Sequence, residues 1–242
     1  RWNCIMSYWA IPNASTAREL REPQRKPVGI VKVDLDHPLG EDLIFHHIYQ
    51  ANFSPKRALV GGGLTQTGTI NQAKDYIYAP GSGTNYLKSS SFDFAGDKTI
   101  LAALDPQLSN PDFHITIGNP TNYISIISGF QTGRWNFYSG NYPTGSPSGS
   151  ELNIEAGINY LAFIIRGSNF EVYLNGVSRI SSTISAGNFL STNSGTVIID
   201  GNNAGDGGNN AFHYGLSLYN RALSGGEIKS LHQNPYQFLI PA

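Results

Sequence analysis

The chain has 242 residues, with 16 Lys plus Arg against 17 Asp plus Glu, so its formal charge is -1. Charged residues make up 14%, low beside the ~25% of an average globular domain, while 40% hydrophobic and 12% aromatic content exclude a disordered chain. The charge balance argues against a nucleic-acid binder, the single cysteine excludes an intrachain disulfide or a cysteine-rich zinc cluster, and no apolar run approaches the ~20 residues of a membrane helix.

Residues 1–28 read as an extended arm. The stretch Arg18-Glu19-Leu20-Arg21-Glu22-Pro23-Gln24-Arg25-Lys26-Pro27 is charged and holds two prolines, so it lacks the apolar periodicity of a packed element. From residue 29 to 242 the pattern turns to short alternating segments separated by Gly, Pro and Asn. Strands are predicted at 30–33, 43–49, 58–60, 76–78, 86–94, 100–104, 113–117, 123–127 and 135–138. Residues 140–150 read as an irregular loop. Tyr160 to Ile165 is a nearly continuous apolar run, the pattern of a central strand. Phe170 to Leu174 leads into Asn175-Gly176, a strong hairpin signal. Thr196 to Ile199 and Phe212 to Tyr219 complete the strands and flank a polar loop at 200–210. One helix is predicted: Ser224-Gly225-Gly226-Glu227 is a capping box, Ile228 and Leu231 share a face, and Asn234-Pro235 stops it. The whole reads as all-β, a two-sheet antiparallel sandwich with one short C-terminal helix behind an N-terminal arm.

Tyr219-Asn220-Arg221-Ala222-Leu223-Ser224-Gly225-Gly226-Glu227-Ile228-Lys229-Ser230-Leu231, then Asn234-Pro235, resembles the C-terminal signature of laminin G-like domains. Tyr173-Leu174-Asn175-Gly176-Val177 is similar to that family's Tyr-Val-Asp-Gly-Val hairpin, with Asn for the usual Asp, and Tyr86 to Gly96 is similar to its early strand-and-loop segment. The resemblance covers residues 40–238 and implies the concanavalin A-like lectin/glucanase jelly roll. Upstream, Arg25-Lys26-Pro27 and the segment from Asp34 to Leu43 resemble the start of tailed-bacteriophage proteins of this family, with Leu35 for a tryptophan.

Three constellations bear on chemistry. Glu151-Leu152-Asn153-Ile154-Glu155 resembles the Glu-x-Asp-x-Glu strand of retaining glucanases, in which alternation sets two carboxylates on one face about 5 Å apart. Asn153 replaces the central Asp, so a loop-edge strand with solvated carboxylates is expected and no catalytic residue is assigned. The loop with Asp200, Asn202, Asn203, Asp206, Asn209 and Asn210 offers oxygen and amide groups suited to Ca2+ or to sugar hydroxyls. Two carboxylates are few for calcium, so a plain turn is expected there, with no metal and no cofactor. His46 and His47 should face opposite sides of one strand, and His114 and His213 should be hydrogen-bonded structural residues. Trp2, Trp9 and Trp135 are candidates for stacking on sugars.

The resemblance to phage proteins, joined to the arm, gives the first functional expectation: a non-enzymatic virion protein, a capsid decoration protein on the virion surface. Trp9, Arg18, Arg21, Arg25 and Lys26 would bind phage coat or other virion proteins, and symmetric self-assembly is expected. The alternative is a carbohydrate-binding module or tail-associated glycan adhesin, using the concave sheet or the 200–210 loop with nearby aromatics. Neither reading involves nucleic acid or a membrane.

Overall fold

The computed structural model describes residues 30–49, 54–73, 76–80, 85–106, 112–119, 123–128, 133–139, 151–183, 194–201 and 211–242. Seventeen strands and one helix follow in chain order among them: β1 (Val31–Val33), β2 (Leu43–Ile48), β3 (Leu64–Thr67), β4 (Asn71–Gln72), β5 (Ile77–Tyr78), β6 (Tyr86–Ser89), β7 (Lys98–Asp105), β8 (Asp112–Gly118), β9 (Tyr123–Ser128), β10 (Arg134–Ser139), β11 (Glu151–Asn153), β12 (Asn159–Arg166), β13 (Asn169–Leu174), β14 (Val177–Thr183), β15 (Thr196–Ile199), β16 (Phe212–Tyr219), α1 (Gly225–Gln233) and β17 (Leu239–Pro241). They form two antiparallel sheets and a small ribbon. One sheet runs β14-β13-β12-β7-β16-β5-β4, with β2 also on β16. The other runs β11-β10-β9-β8-β15-β6-β3, and β1 pairs with β17.

The principal core draws on both sheets. Phe163 of β12 stacks on Phe137 of β10 at 5.9 Å and on Phe170 of β13 at 5.4 Å. Ile115, Ile117, Ile124 and Ile126 join this core from the second sheet. A second core lies on the other face of the first sheet. There Ala162, Ile164 and Tyr219 are covered by Ile228 and Leu231 of α1, by Tyr236 and Phe238, and by Val31 and Leu239 of the ribbon. β12 is therefore buried on both faces: Leu161, Phe163 and Ile165 enter one core, Ala162 and Ile164 the other. This explains its unbroken apolar run.

The local signals are realised in detail. Ser224 Oγ accepts from the Glu227 N–H, and the Glu227 carboxylate accepts from the Ser224 N–H at 2.7 Å. Arg221 Nη2 reaches Glu227 Oε1 at 2.7 Å. The β13–β14 turn has φ of 52° at Asn175 and 75° at Gly176, the positive pair of a type I′ turn. A Cβ on Gly176 would also stand 2.9 Å from the His232 ring of α1, so this glycine serves both the turn and the helix contact.

Several expectations are corrected. The strand expected at 58–60 is a single bridge, Val60 to His46, and the one expected to reach Phe94 ends at Ser89, with Phe92 bridged to Gly195. Sequence patterning passed over β3, β4 and β17, and implied β14 only as the partner strand of the Asn175-Gly176 hairpin, without bounds. β14 shows why: Ile180 is its one buried residue, so as an edge strand it carries no alternation.

Candidate functional site

The 202–210 segment leaves the second sheet at Gly201 and returns to the first at Ala211, so its roots bridge the two layers at one end of the sandwich. Asp200, expected in a solvated turn, is fully buried. It adopts φ 65°, a left-handed conformation that Asp tolerates better than most residues. Its carboxylate accepts from the Ala79 N–H at 2.8 Å through Oδ2 and lies 2.8 Å from His213 Nε2 through Oδ1. The Asp200 N–H donates to the His114 carbonyl, and Thr116 Oγ1 donates to the Gly201 carbonyl at 3.0 Å. The two roots are thus pinned to each other and to β8.

His114 completes this cluster. Its ring lies 6.0 Å from that of His213 and edge-on to Trp135 at 5.5 Å, and Nε2 is 2.6 Å from Ser128 Oγ. One ligand-type atom each from His114, Asp200 and His213 lie within 4.8 Å of one another, and all three residues are buried. Burial, reinforced by the neighbouring His213, holds the His114 pKa well below that of free imidazole. Burial, reinforced by the Asp200 charge, raises the Tyr49 phenol well above its ordinary range. Sequence patterning placed both histidines in hydrogen bonds inside strands but missed that they converge on Asp200, because the three sit on three different strands or strand ends.

Beside the roots lies an aromatic shelf. Ile77 and His213 point into the sandwich, so their neighbours Tyr76, Tyr78, Phe212 and Tyr214 face outward. Tyr76 meets Phe212 at 4.4 Å and Tyr214 at 5.5 Å, and Tyr78 meets Phe212 edge-on at 5.7 Å. All four are half-buried. Asp105 pairs with Phe212 across the strands and is itself half-buried; burial raises its pKa. Tyr214 also borders a pocket of about 70 Å³ under α1, lined further by Ala103, Tyr160, His232 and Tyr236. Shelf and pocket share one face of the first sheet.

The other candidates fare differently. Trp135 is fully buried and donates Nε1–H to Asn159 Oδ1, so it is a core residue and not a sugar platform. His46 and His47 do face opposite ways: His46 lies edge-on to Phe238, and His47 stacks with Phe45. β11 ends at Asn153, and the Glu155 carboxylate accepts from Asn175 Nδ2 at 2.7 Å and lies 3.4 Å from Arg179. It braces the β13–β14 turn. This also accounts for Asn at the family's Asp position, since a carboxylate there could not donate to Glu155. Asn202, Asn203, Asp206, Asn209 and Asn210 lie outside the described residues, as do Trp2, Trp9, Arg18, Arg21, Arg25 and Lys26.

Residues 80–229 match the family model described as the concanavalin A-like lectin/glucanases superfamily. The chain belongs to that superfamily. The match takes in Phe212 and Tyr214 but begins after Tyr76 and Tyr78, so half of the shelf lies outside the superfamily segment. No curated protein sequence matches the chain. Among solved structures, domain 4 of AbnA, a GH43 extracellular arabinanase from Geobacillus stearothermophilus in complex with arabinotriose, is similar at 20% identity and TM-score 0.58. The similarity covers 79% of this chain and 98% of that one. The receptor-binding domain of botulinum neurotoxin D is similar at 10% identity and TM-score 0.62, over 80% of this chain and 53% of that one. A Trypanosoma rangeli sialidase mutant is similar at 14% identity and TM-score 0.60, over 87% of this chain and 37% of that one. At these identities the likeness is one of fold, the jelly roll of the superfamily.

Proposed function

We propose that the chain is a non-enzymatic glycan-binding jelly roll. The observation that carries this reading is the shelf of Tyr76, Tyr78, Phe212 and Tyr214 beside the roots of an Asn-rich segment. Aromatic faces pack on the apolar C–H faces of a sugar ring, while amides and a carboxylate such as Asp105 bond its hydroxyls. No Lys or Arg is among these shelf residues, so neutral sugars are the expected class. The arabinanase domain in complex with arabinotriose supports the choice as a fold neighbour. A non-catalytic role is supported by Asn153 and by the commitment of Glu155 to Asn175 and Arg179. A glycan array followed by calorimetry tests it. A specific neutral oligosaccharide should bind, and Tyr76→Ala or Phe212→Ala should each weaken it about ten-fold, the equivalent of about 1.4 kcal/mol. An array with no sugar bound above background would refute the reading.

A second reading concerns where this module is held. Ile30 is 69% exposed, Leu35 62% and Ile240 36%, three large apolar side chains on or next to the β1–β17 ribbon. This ribbon follows the 1–28 arm. These exposed side chains, with the arm expected at residues 1–28, support a docking strip for a larger assembly, and the sequence resemblance favours a phage particle that would carry the chain as a head decoration protein. Trp9 would then be buried on a coat subunit while Arg18, Arg21, Arg25 and Lys26 pair with its carboxylates. Deleting residues 6–28 should leave a folded jelly roll that no longer joins particles; normal incorporation would refute the arm's role.

A further inference from the structure

We propose that His114, Asp200 and His213 form a buried site for a late first-row divalent cation, Zn2+ foremost, which fastens the two roots of the 202–210 segment. The proposal rests on three observations. The ligand-type atoms of the three residues converge within 4.8 Å. Bond lengths of about 2.0–2.2 Å to zinc place neighbouring ligand atoms about 3.3 Å apart, so side-chain adjustments of up to about 1.5 Å would bring the three protein ligands to bonding distance, with water in the fourth position. Asp200 is the one buried carboxylate among the described residues, and its side-chain partners are a backbone N–H and an imidazole. A divalent ion would neutralise that charge where water cannot. His114 Nδ1 is buried and has no hydrogen-bond partner among the described residues, which leaves this imidazole a nitrogen uncommitted.

The donor set selects the ion. Two imidazole nitrogens and one carboxylate suit zinc and its neighbours, whereas Ca2+ takes six to eight oxygens that this cluster does not supply. Without metal, His213 Nε2 and Asp200 Oδ1 share a hydrogen bond at 2.8 Å. On binding, the imidazole carries its proton on Nδ1 and turns the Nε2 lone pair to the ion, and the carboxylate turns from that bond to the metal. The role is structural: the site lies inside the sandwich, and Asp200 and His213 stand at the two roots of the 202–210 segment, beside which the aromatic shelf lies. This inference does not depend on glycan binding.

The test uses the full chain stripped with a chelator. Titration with ZnCl2 should show one equivalent bound and a rise in melting temperature, and Co2+ as an optical probe should give the visible absorption of a low-coordinate nitrogen/oxygen site. His114→Gln should lose both the Co2+ absorption and the zinc-dependent rise, while its metal-free melting stays near that of the stripped wild type. A folded, stripped wild type that binds no stoichiometric Zn2+ would overturn the proposal, without any change in glycan binding on the same samples. Unchanged binding in both His114→Gln and Asp200→Asn would overturn it equally, by placing the ion elsewhere.

Discussion

At the scale of single residues, the buried polar groups between the sheets set both stability and its pH dependence. Asp200→Ala leaves the Ala79 N–H and His213 Nε2 without their partner in a dry interior. The loss should be about 3 kcal/mol, read from urea unfolding at neutral pH. His46 and His114 are held neutral: burial, aided by the adjacent His47, takes His46 down to about 3, and burial, aided by His213, holds His114 well below its ordinary value. In the unfolded chain both imidazoles gain a proton as the pH falls below about 6.5, and in the folded chain they do not. Their contribution is therefore complete above about pH 6.5 and is lost as the pH falls below it, for His46 down to about 3. Each site should remove up to about 1.4 kcal/mol per pH unit in that window. Urea midpoints at about pH 7.5 and about pH 5 should differ accordingly, and His46→Gln should flatten the slope.

At the scale of elements, α1 covers one face of the first sheet and depends on its cap. Although burial alone would raise the Glu227 pKa, the Arg221 guanidinium and the Ser224 N–H and hydroxyl pull it down to about 2. Ser224→Ala should cost about 1 kcal/mol by chemical denaturation, with the fold retained. The cap was legible in the sequence because its partners are three residues apart. So was the Asn175-Gly176 turn, whose two positive φ values are a local demand. The brace from Glu155 to that turn was not legible, since it crosses 20 residues and depends on how β11 and β13 come together. Glu155→Gln should leave any carbohydrate binding intact and cost less than about 1 kcal/mol, the scale of an exposed ion pair.

At the scale of the whole molecule, two sheets, a ribbon and a helix among the described residues give three layers and two cores, with both faces of the first sheet partly covered. The aromatic shelf occupies a stretch of that outer face beside α1, where β4 and β5 end the sheet. Its composition joins residues from 76–78 and 212–214, so neither segment announces a binding surface alone. A double variant, Tyr76→Ala with Phe212→Ala, should remove glycan binding while lowering stability only modestly, because all four shelf side chains are half-exposed. Calorimetry and thermal melting on one sample separate these outcomes.

The sequence by itself determined the all-β class and most of the elements. Alternation, turn residues and caps act over a few neighbours, and those short-range preferences already specify most of the described strands, the hairpin and the C-terminal helix. It also signalled the central place of β12, since only a strand covered on both faces can be apolar throughout. Tertiary structure alone decided which polar residues meet. Asp200 was read as a solvated loop residue and proves to be the buried partner of His213 and Ala79. Trp135 was a candidate for stacking on sugars and proves to be core. Both outcomes follow from the pairing of strands distant in sequence, a long-range consequence of packing two sheets face to face that leaves no periodic trace in the chain.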